Sequence, residues 1–237
     1  MTLNNYLHAA TAVERYELFP SVFQKIRAAR TQHRHGDLKV LQTLHYYELL
    51  YALNTADWET ARKLRTVIVN FMLTDGNQIA KGTRMAFQYN LCILAFLLED
   101  FREALNWVNA ILDSAGAEAR EDIQHFARVL LIILHYELGN LDLLEYLHRS
   151  TYRYLFDRAE LHPYERLLLE AVRQLLKQPA PDERRPILLA LQQSIDGMRQ
   201  GTADGPAVQE MRCWIAARLD NRPLRDVMAE MIRKPLK

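Results

Sequence analysis

The amino-acid sequence predicts an all-α protein, an α-solenoid of about four helical hairpins followed by C-terminal capping helices. Three observations predict it. One phrase recurs in AVERYELFPSVFQKIR (12–27), NTADWETARKLRTVIV (54–69), LLEDFREALNWVNAIL (97–112) and ELGNLDLLEYLHRSTY (137–152). Within each phrase the apolar residues keep helical spacing. No segment shows the two-residue alternation of a half-buried strand.

The anchors of the phrase are Tyr16, Trp58, Phe101 and Leu141, which lie 42, 43 and 40 residues apart. A period in this range marks an array of supersecondary units. Three residues after the anchors come Phe19, Ala61, Ala104 and Leu144. Six after come Val22, Leu64, Trp107 and Leu147, and ten after come Ile26, Ile68, Ile111 and Thr151. These offsets follow one helix face, on which only Thr151 is polar. Pro20 belongs near a helix start, so the first of these helices is expected to begin late.

A preceding helix is predicted upstream of each anchor. Nine residues before the anchors stand Leu7, Leu49, Cys92 and Ile132, and six before stand Ala10, Ala52, Ala95 and His135. Alanine at one fixed place predicts a close approach of two helices. Asp57, Asp100 and Asn140 occupy N-cap places, where a side-chain oxygen accepts from the free N–H groups of the next turn. Asp100 and Glu103 have capping-box spacing, and Gly139 suits the end of a helix. Each hairpin buries part of its apolar surface alone, and stacking the next hairpin covers the rest.

NLCILAFLLEDFREALNWVNAIL (90–112) resembles a tetratricopeptide (TPR) repeat, with Asn90-Leu91 opening the first helix, a turn before Phe101 and then the small Ala104. Cys92, Glu99 and Ile111 depart from the family pattern, and the longer period places longer loops at 73–84 and 113–122. Residues 120–158 are similar to a stretch in long uncharacterised bacterial TPR-containing proteins, and 210–228 resembles their ending. That likeness implies that the chain is the C-terminal part of a longer array.

The phrase is read as stopping near residue 160, so the expected division is 1–160 for the TPR-like repeats and 161–237 for a helical extension packing on the last repeat. Tyr164, Leu167, Leu168, Ala171, Val172, Leu175 and Leu176 form an amphipathic stripe behind Pro163. Leu188, Leu191, Ile195 and Met198 mark another helix. Two more are expected near 207–219 and 223–233, with Pro223 at a first helical position.

Composition narrows the function. A net charge of +1 offers no global attraction for nucleic acid or an anionic membrane. The N-terminus lacks a signal-peptide pattern, and the apolar run VLLIIL (129–134) is far short of the ~20 residues of a membrane span. Cys92 and Cys213 make neither a disulfide framework nor a zinc set. These features predict a soluble, cytoplasmic protein that keeps its thiols reduced.

No catalytic constellation, metal set or cofactor motif is read. His33, His35 and Asp37 are read as a polar turn rather than a metal site, because no further ligand follows with clear spacing. GNQIAKGT (76–83) holds the letters of a phosphate loop in the wrong order. The basic groups Lys25, Arg27, Arg30, Arg34, Arg62, Lys63, Arg65, Arg149, Arg153 and Arg158 read as solvated faces, balanced by 29 acidic residues. His135 departs from alanine and is expected in a polar network with Arg128, Glu137, Arg149 and Ser150, with ligand reading or pH sensing as the alternative.

The TPR resemblance implies a concave trough lined by Tyr46, Leu50, Leu53, Tyr89, Ile93, Phe96, Val129, Ile133 and Tyr136, together with Asn90. It also implies that the family's carboxylate clamp is absent, since only Asn5 and Asn90 match it and no lysine does. Such a trough suits an apolar peptide or helix of a partner, or the protein's own C-terminal helices. The reading is a non-enzymatic scaffold for a protein or peptide partner. Its alternatives are a sensor of a small peptide or metabolite and a nucleic-acid-binding helical array. A homo-oligomer is compatible with either.

Overall fold

The computed structural model describes residues 3–13, 15–28, 34–114, 120–157, 162–177, 180–198 and 208–234. Among these residues there is no strand. The helices are α1 (Leu3–Ala12), α2 (Phe19–Ala28), α3 (Arg34–Asn54), α4 (Trp58–Thr74), α5 (Lys81–Leu97) and α6 (Phe101–Asp113), then α7 (Glu121–Glu137), α8 (Leu141–Asp157), α9 (Pro163–Leu175), α10 (Pro181–Asp196), α11 (Val208–Asp220) and α12 (Leu224–Arg233). The chain is all-α. No helix is long and apolar enough to cross a membrane among the residues described.

The turns explain why one phrase recurs. Ala56, Glu99 and Gly139 adopt the left-handed conformation, with φ of 56°, 60° and 70°. The next backbone N–H reaches back five residues in each case: Asp57 to Ala52 O at 2.9 Å, Asp100 to Ala95 O at 2.9 Å and Asn140 to His135 O at 3.0 Å. A second bond, of shorter span along the chain, runs from the left-handed residue to the carbonyl three back. This is the Schellman arrangement, which satisfies carbonyls that the helix end leaves without partners. Asp57 and Asp100 then cap the following helix, accepting from Thr60 N and Glu103 N at 3.1 Å each. One residue thus closes one helix and opens the next.

The five-residue bond of this closure recurs at two further places. Arg15 N donates to Ala10 O at 2.9 Å after α1, and Arg222 N donates to Ala217 O at 2.9 Å after α11. Asn221 there has φ of 50°. The α11–α12 turn also holds three residues, but its left-handed residue is the first of them rather than the second, and Pro223 is the N-cap of α12 instead of its first helical residue. The turn of the repeated phrase therefore recurs beyond residue 160. Near the other end, Tyr16–Leu18 form a 3-10 turn and α2 starts late, at Phe19, with Pro20 in its first turn.

The seam behind these turns is dry. Phe19, Ala61, Ala104 and Leu144 are all 0% exposed, as are Leu7, Leu49, Cys92 and Ile132 on the preceding helices. Ile26, Ile68, Ile111 and the polar Thr151 are buried as well. Each large apolar side chain removed from water there contributes about 1.5–3 kcal/mol.

The chain divides into two compact units, 1–90 and 91–237, with the boundary inside α5. In the first, α1 packs on α2, α2 on α3, and α3 on α4. Phe19 centres an aromatic cluster with Tyr16, Phe23, Tyr47 and Tyr51. In the second, α7 is the central helix, with almost every residue from Ile123 to Leu134 buried. It packs against α6, α8 and α9, and the chain continues through α9 on α10, α10 on α11 and α11 on α12. Because α7 meets α9 directly, the C-terminal helices share its core.

The left-handed residues provide a direct check of this turn. Replacing Ala56 with Gly removes a Cβ from a conformation that costs an L-residue about 1–2 kcal/mol, so the variant should be more stable by about 1 kcal/mol. Gly139→Ala should lose a similar amount. Urea denaturation of both variants checks the opposite signs.

Candidate functional site

The trough positions divide sharply by burial. Leu53, Ile93, Phe96, Val129 and Ile133 are buried, as is Asn90, while Tyr46, Leu50, Tyr89 and Tyr136 are half-buried. Tyr46 packs edge-on against Tyr47 and Phe87. Tyr136 meets the Trp214 ring of α11 at 5.9 Å and 90°. At that point the protein's own α11 packs beside the end of α7. Trp214 is itself 0% exposed.

A polar clamp holds α11 there. The Glu137 carboxylate, at the end of α7, accepts from Trp214 Nε1 and from Arg218 Nε, the latter at 2.7 Å. Arg218 Nη1 also donates to Glu99 Oε1 at 3.1 Å, reaching the left-handed residue of the α5–α6 turn. One guanidinium so joins α11 to the ends of two other helices, with its planar fork satisfying two carboxylates. These pairs compensate the cost of taking the Arg218 charge largely out of water.

The residues expected to form one network around His135 separate instead. His135 Nδ1 accepts from Asn140 Nδ2 at 3.1 Å. Desolvation holds its imidazole below the ordinary value, which favours this neutral, accepting ring. Glu137 turns to α11. The Arg128 guanidinium lies 3.7 Å above the centre of the Tyr154 ring. Arg149 approaches Glu145 at 3.6 Å on an exposed surface, and Ser150 is exposed. Helix direction causes this split: on α7, His135 and Glu137 are two residues apart and point to different sides.

The structure leaves four large side chains of α8 in water that the sequence pattern did not place there, Leu143 and Tyr146 on one side of the helix and Leu141 and Tyr152 on another. Leu141 is 47%, Leu143 51%, Tyr146 66% and Tyr152 38% exposed. Leu144 and Thr151 form the inner side of α8, and His148 Nε2 meets the Leu169 carbonyl of α9 at 2.9 Å, holding the helix in that rotation. Arg149 and Arg153 flank the exposed tyrosines. Leu141 is the fourth anchor of the repeated phrase, so the departure was present in the sequence, but its position marks it as core.

Both cysteines are buried, and desolvation raises both thiols, Cys213 to about 12. Cys92 donates to Ala104 O and Cys213 to Leu224 O. They behave as small apolar residues that tie adjacent helices. Burial also raises the Glu210 carboxyl on α11. His33 and the side chains of His35 and Asp37 lie outside the described residues, as do Arg30, Arg158 and the side chain of Arg34.

Comparison of the chain with protein-family models, curated proteins and solved structures finds no match.

Two outcomes test the clamp and its surroundings. Glu137→Ala should cost about 2–3 kcal/mol, because it leaves Trp214 N–H and Arg218 short of an acceptor. Adding Arg218→Met should cost less than the two single losses combined, which a double-mutant cycle by urea denaturation measures. For Glu210, the folded protein holds its proton to higher pH than the unfolded chain. That contribution to stability is fully present below the ordinary carboxylate value and is lost as pH rises through the raised folded value. Glu210→Gln should therefore flatten the decline in the urea midpoint from pH 5 to pH 8 and exceed wild type at pH 8.

Proposed function

We propose that the chain is a TPR-like α-solenoid that serves as a non-catalytic protein–protein interaction scaffold of the reducing cytoplasm, engaging a peptide or helix of a protein partner. The recurring Schellman and N-cap turn supports the repeat reading, since identical closures impose similar helix pairs. Helices of 17 residues, in α4, α5, α7 and α8, support the period of 40–43 residues over a shorter one.

The observation that carries the interaction reading is the outward face of α8. Leu143 and Tyr146 are more than half exposed on a helix whose other side buries Leu144 and Thr151. They lie three residues apart on one side of the helix, and adjacent large apolar and aromatic side chains are the usual anchors of a helix or peptide partner. The trough beside α7 is closed by Trp214, so the contact surface of this unit lies on its outer side.

A charge placed at Phe96 would enter a fully buried site and report unfolding, whereas Leu143→Glu with Tyr146→Glu acts on exposed positions. Affinity capture from the native host with wild type and this double variant tests the reading. The expected result is loss of the wild-type partner proteins at unchanged melting temperature. Recovery of the same proteins by both forms overturns the α8 assignment. Captured nucleic acid whose retention falls steeply with salt would assign the exposed tyrosines and Arg149 and Arg153 to a nucleic-acid surface instead.

A further inference from the structure

A cluster at the start of α9 joins two histidines to a carboxylate. Glu165 is 0% and His125, in the middle of α7, is 6% exposed, while His162 is half-buried. His125 Nε2 lies 2.7 Å from Glu165 Oε1. The Tyr164 hydroxyl donates to the same oxygen at 3.1 Å, and the His162 backbone N–H donates to Glu165 Oε2 at 2.9 Å. The His162 ring accepts from the Glu165 backbone N–H, which completes a capping box with histidine in the usual Ser or Thr place. One ring nitrogen from each histidine and one carboxylate oxygen all lie within 4.8 Å of one another.

We propose that His125, His162 and Glu165 bind a divalent transition-metal ion of the zinc class. Two imidazoles and one carboxylate are a donor set suited to zinc or ferrous iron, and three protein ligands leave one position for water. A tetrahedral zinc ion places its donors about 3.3 Å apart. The cluster reaches that spacing if the His125–Glu165 contact opens slightly and His162 moves inward. The half-buried side of His162 is the route of entry and the place for the remaining ligand. Helix packing sets the donors in advance, because α7 and α9 touch directly.

Charge favours the ion as well. The Glu165 carboxylate is removed from water, and a divalent cation compensates it more strongly than an imidazole and two neutral donors. Binding exchanges contacts. The His162 nitrogen that accepts the helix N–H leaves the ring proton on the opposite nitrogen, and His125 directs Nε2 to the carboxylate. Coordination moves the His125 proton from Nε2 to Nδ1 or to water, and His162 turns its accepting nitrogen from the helix N–H to the ion with its ring proton unmoved.

Calorimetric titration of chelator-treated full-length protein with zinc chloride tests the site. Wild type should take up one equivalent and show a higher melting temperature when loaded. His162→Asn keeps a good N-cap and removes one ligand, so it should fold as wild type and bind zinc more than about tenfold more weakly. His125→Gln keeps an N–H donor for Glu165 and should lose affinity in the same way. Absence of a saturable equivalent in wild type, or equal affinity in wild type and His162→Asn, overturns the proposal.

Discussion

The backbone hydrogen bond that reaches five residues back at the end of a helix is the constraint on which the rest of the structure depends. It occurs at Ala10, Ala52, Ala95, His135 and Ala217. Four of these acceptors are alanines, and that is a steric matter: the returning chain passes over the acceptor's turn, where a small side chain lets the next helix lie close. Where His135 replaces alanine, the larger ring is accommodated by turning outward to Asn140. The backbone closure survives the substitution because it uses only main-chain atoms.

From that closure follows the burial of the seam. A helix pair joined by three residues has little freedom in its crossing, so the residues facing across it are the same in each phrase. Leu49 and Ala61, or Cys92 and Ala104, occupy equivalent dry positions. The polar clamp of Glu137, Trp214 and Arg218 builds on the same geometry, since Glu99, its second acceptor, is itself the left-handed residue of a turn. A single arginine thereby connects the end of α7, a repeated turn and α11.

This arrangement bears on where function resides. The side of α7 that meets α11 through Trp214 contributes stability, and large apolar side chains remain in water on α8, as they do at Val13, Val67 and Leu73. The His125–His162–Glu165 cluster is a separate feature of α7 and α9, remote in character from the apolar face and made of titratable groups in a dry setting.

The sequence by itself determined the helices, their turns and the seam, because these depend on local rules: periodicity, N-cap chemistry and the small residue at a fixed offset. It read Asp57 and Asp100 as caps and α2 as a late starter, all from neighbours within a few positions. Tertiary structure alone decided which partners the polar groups took. Glu137 is two residues from His135 in the chain, yet it pairs with Trp214 and Arg218, some 80 positions later. His125 meets Glu165 from a different helix, 40 residues away in sequence. Such pairs carry no periodic signal, since they arise where non-adjacent helices happen to converge. Burial of the trough and exposure of Leu141 likewise follow from which helix packs on which, and that choice belongs to the assembled core.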